Sequence, residues 1–547
     1  MGVLLEQFAS DLHSYTRHSS IPISIYKQVS STNGDTTTQQ LNPFAYYTDF
    51  WQPLFIDFLL DLGHSSYEQD KQKFIDECKL CYRCDETYLA VIAEFERTYT
   101  PKDAIRWYTC NTFIFRLLNR SLRLHDIRGI FKFRFFIADL YEQLKQIYYG
   151  YLRNDTYVED MKMKRYRGQR MSKFELDNNF TYSTLVSINS FLSTSRDRDV
   201  AVRFAGISDR RAEIVSVVFE CDILIEKQNS FERKPFADLF GDQSQFKSEE
   251  EECLFMAGAF FRIGKTTYCD TDQFYTVKIT LIDEDDRRID ITKDYQTLKT
   301  TISIESKLIK IGNLLTADQA KSYYCLLQDE LHSSLSIQAA CHIGLGWTAY
   351  KEKKYSKAII EQEQALSLLI KSQNNDLLIQ SYNCLGAIYT AEKSYPKALE
   401  CYRKAYNLGQ TPSIDKYSMY DHYHNISSIQ IACIYKIMGD IQLAWDMYEK
   451  LFDHELRYSK EFAGHIYIFI AEAGIHDSSL SLKQQYLLWS KWKAFLDCSL
   501  RGKRLYRQMI IAGYLSLAHH YDLTEQRCQY NNDYYFQFDN MHLRRTD

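Results

Sequence analysis

Three stretches in the second half of the chain carry one pattern of small and aromatic residues. Leu345-Gly346 is followed twelve residues later by Ala358 and then by Ala365. Forty residues on, Leu385-Gly386 leads to Tyr389, Tyr395, Ala398, Tyr402 and Ala405, and a third copy holds Ala432, Tyr435, Gly439, Ala444 and Tyr448. A repeat of this length means that each unit is too small to bury its own apolar face and must stack on a neighbour. Small residues where two helices cross, with aromatics at the next contact, are what stacked helix pairs require. Residues 298–547 are therefore expected to form an all-α array, with 460–520 supplying degenerate repeats and a capping helix.

A chain of 547 residues exceeds one ordinary core, so at least one further domain precedes the array. Residues 1–63 read as a polar arm, with a Ser/Thr/Asn/Gln-rich stretch from Ser30 to Gln40, followed by a helix. In that helix Trp51, Leu54, Phe55, Phe58, Leu59 and Leu62 recur at three- and four-residue spacing, and Gly63 stands where a C-cap belongs. From Leu89 to Tyr149 the pattern stays helical. After Asp155 it changes to strand-like segments at Thr184 to Ser195, Glu213 to Asp222, Cys253 to Ile263 and Phe274 to Ile282, with one helix near Asp199 to Ala205. Helices first and strands afterwards predict an α+β domain over 64–297.

A net charge of -5 gives no electrostatic case for nucleic acid as a partner. No secretory signal, membrane-spanning stretch or lipid-anchor tail is seen, so a cytoplasmic protein without a membrane partner is expected. Its 14 cysteines are then reduced thiols. Cys78, Cys81 and Cys84 have a metal-like spacing but no fourth ligand, and they read as helix cysteines, so no metal is expected. Arg116, Arg120, Arg123 and Arg134 read as a solvated helix face.

Three elements carry chemistry. Arg167, after a segment of strand character, offers a guanidinium that can grip a pyrophosphate through paired hydrogen bonds, and Gly168 beside it would let a ligand approach the backbone. A surface salt bridge is the ordinary use of such an arginine. In Ser193-Thr194-Ser195, strand alternation places Ser193 and Ser195 on one face and Thr194 on the other, so that one hydroxyl can orient a carboxylate. The ordinary reading is helix capping by Ser195. Finally Glu250 and Glu252, two apart on entering a strand, can project into one cleft and perturb each other's ionisation, whereas most acidic runs are solvated loops.

Arginine, then Ser-Thr-Ser, then Glu-x-Glu, each beside a strand, resembles the arginine-serine-glutamate class of mono-ADP-ribosyltransferases. Upstream, Tyr108-Thr109, Asn119 and Arg123 are similar to the helical lobe of the arginine-specific enzymes, so the resemblance covers roughly residues 64 to 285. It implies a helical lobe plus a mixed β-sandwich, and NAD as co-substrate. Arg167 would bind the NAD phosphates with Gly168 beside them. Ser193 would hold Glu252 by a hydrogen bond, and Thr194 and Ser195 would shape the nicotinamide pocket. Glu252 would stabilise the oxocarbenium-like centre formed as nicotinamide leaves, through the ribose 2′-hydroxyl. Glu250 would engage the acceptor guanidinium and help remove its proton. The loop from Asp242 to Ser248 would contact substrate, with Phe246 as the recognition aromatic. Glu249 to Glu252 leave a one-residue register open, and Glu252 is favoured because Leu254 then falls at its expected offset.

The array resembles the tetratricopeptide repeat in an enlarged form, with Ala349 where the family has an aromatic and Ala432 where it has glycine. That resemblance implies a groove for a peptide or helix. The expectation is an enzyme that moves ADP-ribose to arginine of a protein substrate recruited by the repeats. The alternatives are a non-catalytic repeat scaffold with a degenerate transferase domain, and an NAD hydrolase.

Overall fold

The computed structural model describes residues 23–26, 51–63, 67–110, 112–153, 161–208, 212–225, 234–239, 252–282, 303–372, 374–409 and 419–447, the last without 441, 442 and 445. They fall into two compact units, 1–377 and 378–547.

The first unit opens on a strand, β1 (Ile23–Tyr26), which pairs with β3 (Leu185–Ile188). Part of the expected polar arm is thus the edge strand of a sheet. Helix α1 (Trp51–Asp61) is buried from Trp51 to Leu59. It ends where the sequence places its cap, at Gly63 with φ +65°. Six helices follow: α2 (Tyr67–Cys81), α3 (Glu86–Thr98), α4 (Ala104–Thr109), α5 (Phe113–Arg123), α6 (Ile127–Lys132) and α7 (Arg134–Arg153). Asp85 caps α3 by accepting from the Tyr88 amide, and Asp126 caps α6 by accepting from the Gly129 amide. Apolar residues at three- and four-residue spacing, such as Phe113, Ile114, Leu117, Leu118 and Leu122, turn inward. They meet an aromatic core in which the Phe74 ring lies 4.7 Å from Phe133 and 5.5 Å from Phe135. Arg134, expected on a solvated face, is buried. It forks onto Asp70 and lies 4.1 Å above the Phe131 ring, because a buried carboxylate on α2 requires a cation.

The strands are β2 (Met161–Ser172), β3, β4 (Leu192–Ser195), β5 (Ile214–Ile225), β6 (Phe236–Asp238), β7 (Glu252–Phe255), β8 (Ala259–Cys269) and β9 (Phe274–Leu281), with α8 (Lys173–Asn179) and α9 (Arg198–Ala205) between them. They form one nine-stranded sheet in the order β1-β3-β8-β9-β5-β2-β4-β7-β6. All neighbours are antiparallel except β5 and β9, so the sheet is mixed. Three expectations change here. The segment expected as one strand from Thr184 to Ser195 is two, β3 and β4, which lie apart in the sheet order. Arg167 lies in the middle of a twelve-residue strand rather than after a short one. The single strand expected from Cys253 to Ile263 is two, broken at Met256 to Gly258, where Gly258 adopts φ +86°. That turn carries the chain from the short arm β4-β7-β6 to the long arm. The arms face each other across one core, with Leu192, Phe236, Cys253 and Phe255 packed among Val217, Phe219, Phe261 and Ile279. The Phe255 and Phe261 rings are 5.7 Å apart. Each such buried side chain contributes about 1.5–3 kcal/mol relative to exposure.

The same unit continues through α10 (Ile304–Leu314), α11 (Ala317–Glu330), α12 (Leu335–Lys351) and α13 (Tyr355–Ser372). The first two lie against the helical lobe. The Phe55 and Tyr323 rings meet edge-on at 5.8 Å, Lys307 pairs with Asp61, and Glu330 stands 3.7 Å from Arg134. The glycines of α10 and α12 admit an aromatic: a Cβ at Gly312 or Gly344 would come within 2.0 Å of Tyr324.

Helix α14 (Asn375–Ala391) begins in the first unit and continues into the second, which holds α15 (Tyr395–Gly409) and α16 (Met419–Met438). The repeat pattern becomes contact here. Gly386 makes room for Tyr402, with 2.6 Å from a notional Cβ to the ring, and Ala398, Ala432, Tyr435 and Ala444 share one cluster. The turns repeat as well. Lys353, Lys393 and Gly439 are left-handed at φ +61°, +61° and +89°, and the following amide reaches back to Ala349, Tyr389 and Tyr435 respectively. Tyr448 and the expected capping helix lie outside the described residues.

Candidate active site

The site lies where the sheet forks. Strand β2 pairs with β5 along its whole length, but with β4 at one pair only, Tyr166↔Ser195. Beyond that pair β4 follows β7 instead, with Ser193↔Leu254, Thr194↔Cys253 and Ser195↔Glu252 in register. Alternation puts Ser193, Ser195 and Glu252 on one face and Thr194 and Cys253 on the other. On the first face the Ser193 hydroxyl donates to Glu252 Oε1 at 2.6 Å, along the diagonal of the ladder. In the fork, Arg167 Nη1 donates to the carbonyl oxygen of Ser193 at 2.7 Å. One serine thus touches both other members: its main chain takes the arginine and its side chain holds the carboxylate. Glu252 is only 7% exposed, so its position is set by the strand and by that hydroxyl.

Burial lowers the Arg167 guanidinium from its ordinary range. The Tyr108 hydroxyl and Glu252 act against that shift, and the like charge of Arg123 adds to it. A guanidinium remains a cation under these conditions. Its Nε–H is buried without a hydrogen-bond partner, which leaves a donor for an anionic ligand. Tyr108 bonds Asn119 at 3.1 Å and packs at 5.0 Å from Phe191, two residues before Ser193. In the sequence Tyr108 and Arg123 stand out only as marks of the helical lobe; the structure puts both within electrostatic reach of Arg167.

The remaining expected residues sit as follows. Thr194 is buried on the far face, where its hydroxyl donates to the Cys253 carbonyl at 3.0 Å, so it does not join Ser193 and Glu252. Ser195 accepts the Asp197 amide at 3.0 Å, and the cap of α9 is Asp197, which accepts from the Asp199 amide at 2.8 Å. Gly168 is required by the helix beside it, since a Cβ there would lie 1.6 Å from the Ala201 carbonyl oxygen. Glu250 and Phe246, with Glu249 and Glu251, lie outside the described residues.

Behind Glu252, Arg165 reaches Asp238 through two hydrogen bonds of 2.8 and 2.5 Å, both side chains being buried. This pair fastens β6 to β2 on the face opposite the carboxylate. No local signal announces it, because its partners are 73 residues apart. Cys253 lies beside it, and burial pushes its thiol well up. Among the described residues no three His, Cys, Asp or Glu side chains group to hold a metal, and no helix is long and apolar enough to cross a membrane.

No protein-family model matches this chain. None of the curated proteins matches it either. Among solved structures it is similar to Vis toxin, an ADP-ribosyltransferase from Vibrio splendidus, at 18% identity and a TM-score of 0.23 over 40% of this chain and 87% of that one. The Clostridium limosum C3 exoenzyme gives 13% identity and a TM-score of 0.25, over 38% of this chain and 94% of that one. A Podosopora anserina protein with nearly identical TPR-like repeats gives 15% identity and 0.26, over 39% and 95%.

Proposed function

We propose that the chain is an NAD-dependent mono-ADP-ribosyltransferase that modifies protein arginine and releases nicotinamide. The observation that carries this reading is the junction at Ser193, which holds a cation on β2 and a buried carboxylate on β7 where β2 and β4 diverge from one residue pair. NAD fits this donor set: Arg167, with a buried unengaged Nε–H, would bind its phosphates, and Ser195, on the face of Glu252, would shape the nicotinamide pocket, whereas Thr194 faces the other way. When bound, NAD supplies an ADP-ribosyl group attached to a nicotinamide leaving group. Glu252, kept in place by Ser193, offers a fixed negative charge and a hydrogen-bond acceptor where positive charge develops. Glu250 would take the proton that the acceptor guanidinium gives up, and an acid at that position favours arginine. Phe246 would contact the protein substrate, and the helical repeats would recruit it.

The test is transfer of labelled ADP-ribose to agmatine and to an arginine-rich protein. Wild type is expected to label both while Glu252→Gln labels neither. Equal inactivity of the two with NAD present would refute the enzyme.

A further inference from the structure

The ladder joins the short arm β4-β7-β6 to β2 at one residue pair, backed by the Arg167–Ser193 and Arg165–Asp238 bonds, while the far end of β4 and β7 is held by another element. Helix α1 lies at their end. Gln52, in its first turn and wholly buried, donates from Nε2 to the carbonyls of Asn189 and Leu122, each at 3.0 Å. Its Oε1 faces His125 Nδ1 at 2.5 Å. The two carbonyls require the amide nitrogen on their side, so His125 must carry its proton on Nδ1 and donate. Asn189 stands in the loop that leads into β4, four residues before Ser193. Pro53, the next residue, lies against Gly258 in the turn that leaves β7, at 3.5 Å from where a Cβ would be. The Gly258 amide in turn bonds the Ile188 carbonyl at 2.7 Å, which closes the loop on the turn. One turn further along, Asp57 pairs with the buried Lys234 just before β6.

We infer that Gln52 is a positioning residue for the Ser193–Glu252 pair, an assignment that rests on the transferase reading above. Strand β4 is four residues long, so anchoring Asn189 sets where its serine arrives. A leucine of similar size would remove both bonds that hold the Asn189 and Leu122 carbonyls and the acceptor that faces His125. The loop would then move, and a displacement on the order of 1 Å is enough to disturb an aligned hydrogen bond at a reacting centre. Arg167 sits on β2, whose main chain is held by β5 along twelve residues and does not depend on this anchor.

The test compares Gln52→Leu, Gln52→Glu and a packing control on the same helix, Ile56→Val, in the full chain well below every unfolding midpoint. Nicotinamide release is expected to show kcat lowered about tenfold or more in both Gln52 variants, with KM for NAD within about twofold of wild type and Ile56→Val unchanged. The glutamate variant isolates the donated bonds, since it keeps size and acceptor but cannot serve two carbonyls. Hydrogen exchange is expected to rise about tenfold at 189–195 and to stay unchanged along β2 and β5. A control that loses kcat as the Gln52 variants do, a rise in exchange spread evenly over the fold, or no rise at 189–195 would each overturn the inference. A wild type that releases no nicotinamide refutes the transferase reading instead. The exchange result then decides alone whether Gln52 anchors the loop.

Discussion

Ser193 Oγ and Glu252 Oε1 are 2.6 Å apart, and the carbonyl of the same serine receives Arg167, so one residue sets the distance between the site's cation and its anion. Hydrogen bonds to charged groups contribute about 1.5–3 kcal/mol. Ser193→Ala is therefore expected to lower kcat for nicotinamide release by about ten- to a hundredfold with little change in Tm. Glu252→Gln is expected to lower it by about a hundredfold or more. A Ser193→Ala enzyme with wild-type kcat would show that the hydroxyl does not position the carboxylate.

Arg167→Lys tests whether geometry or charge matters in the fork. A lysine keeps the charge but offers no planar fork to bridge a carbonyl and a phosphate at once. Calorimetry is expected to show NAD binding weakened about tenfold or more, and an unchanged Kd would remove Arg167 from the cofactor site.

Gly168→Ala probes packing and not chemistry. Its methyl would meet the Ala201 backbone, which cannot yield without moving α9 off β2. Overpacking against backbone is expected to cost about 3 kcal/mol or more, read as a lowered midpoint in denaturant unfolding. A midpoint equal to wild type would mean that α9 shifts freely.

The Asp57–Lys234 pair is nearly inaccessible, at 4% and 2% side-chain exposure. Removing one partner strands a buried charge, so Asp57→Asn is expected to cost about 3–5 kcal/mol. The double change Asp57→Leu with Lys234→Met recovers most of that loss, as a thermal unfolding cycle would reveal. Equal losses in single and double variants would argue that packing, and not charge, dominates there.

Thiol chemistry reports on the short arm. Burial pushes the Cys253 and Cys221 thiols up, so both stay protonated at neutral pH, and only a thiolate alkylates readily. Among the cysteines of the described residues, mass mapping of native protein is expected to find Cys84 and Cys325, which are exposed, modified first, with Cys253 modified only on unfolding. Early labelling of Cys253 would mean that β7 opens.

The sequence announces elements whose apolar residues keep a period, such as α1 with its Gly63 cap and the alternating strand β9. It conceals β2. The run Lys162 to Arg170 reads as polar because its charges find partners far along the chain: Lys164 at Glu220, Arg165 at Asp238 and Arg167 at the Ser193 carbonyl. The break between β7 and β8 is equally hidden, since Met256-Ala257-Gly258 is as apolar as the strands it separates. Motif spacing and family resemblance together picked out Ser193 and Glu252. Gln52 carried no such mark, as its carbonyl partners lie 70 and 137 residues away.

Helix α1 is made before the sheet, yet Lys307, which pairs with its Asp61, follows 246 residues later, and Tyr323, which covers Phe55, comes later still. While the chain is being translated, the strands of the candidate site can assemble before those partners leave the ribosome, but α1 then lacks the cover of Tyr323 and the pairing of Lys307. Completion of the sheet-bearing portion is thereby deferred until the first helices beyond it exist. A nascent or prematurely terminated chain ending near residue 297 would carry Arg167, Ser193 and Glu252 on an incompletely secured frame.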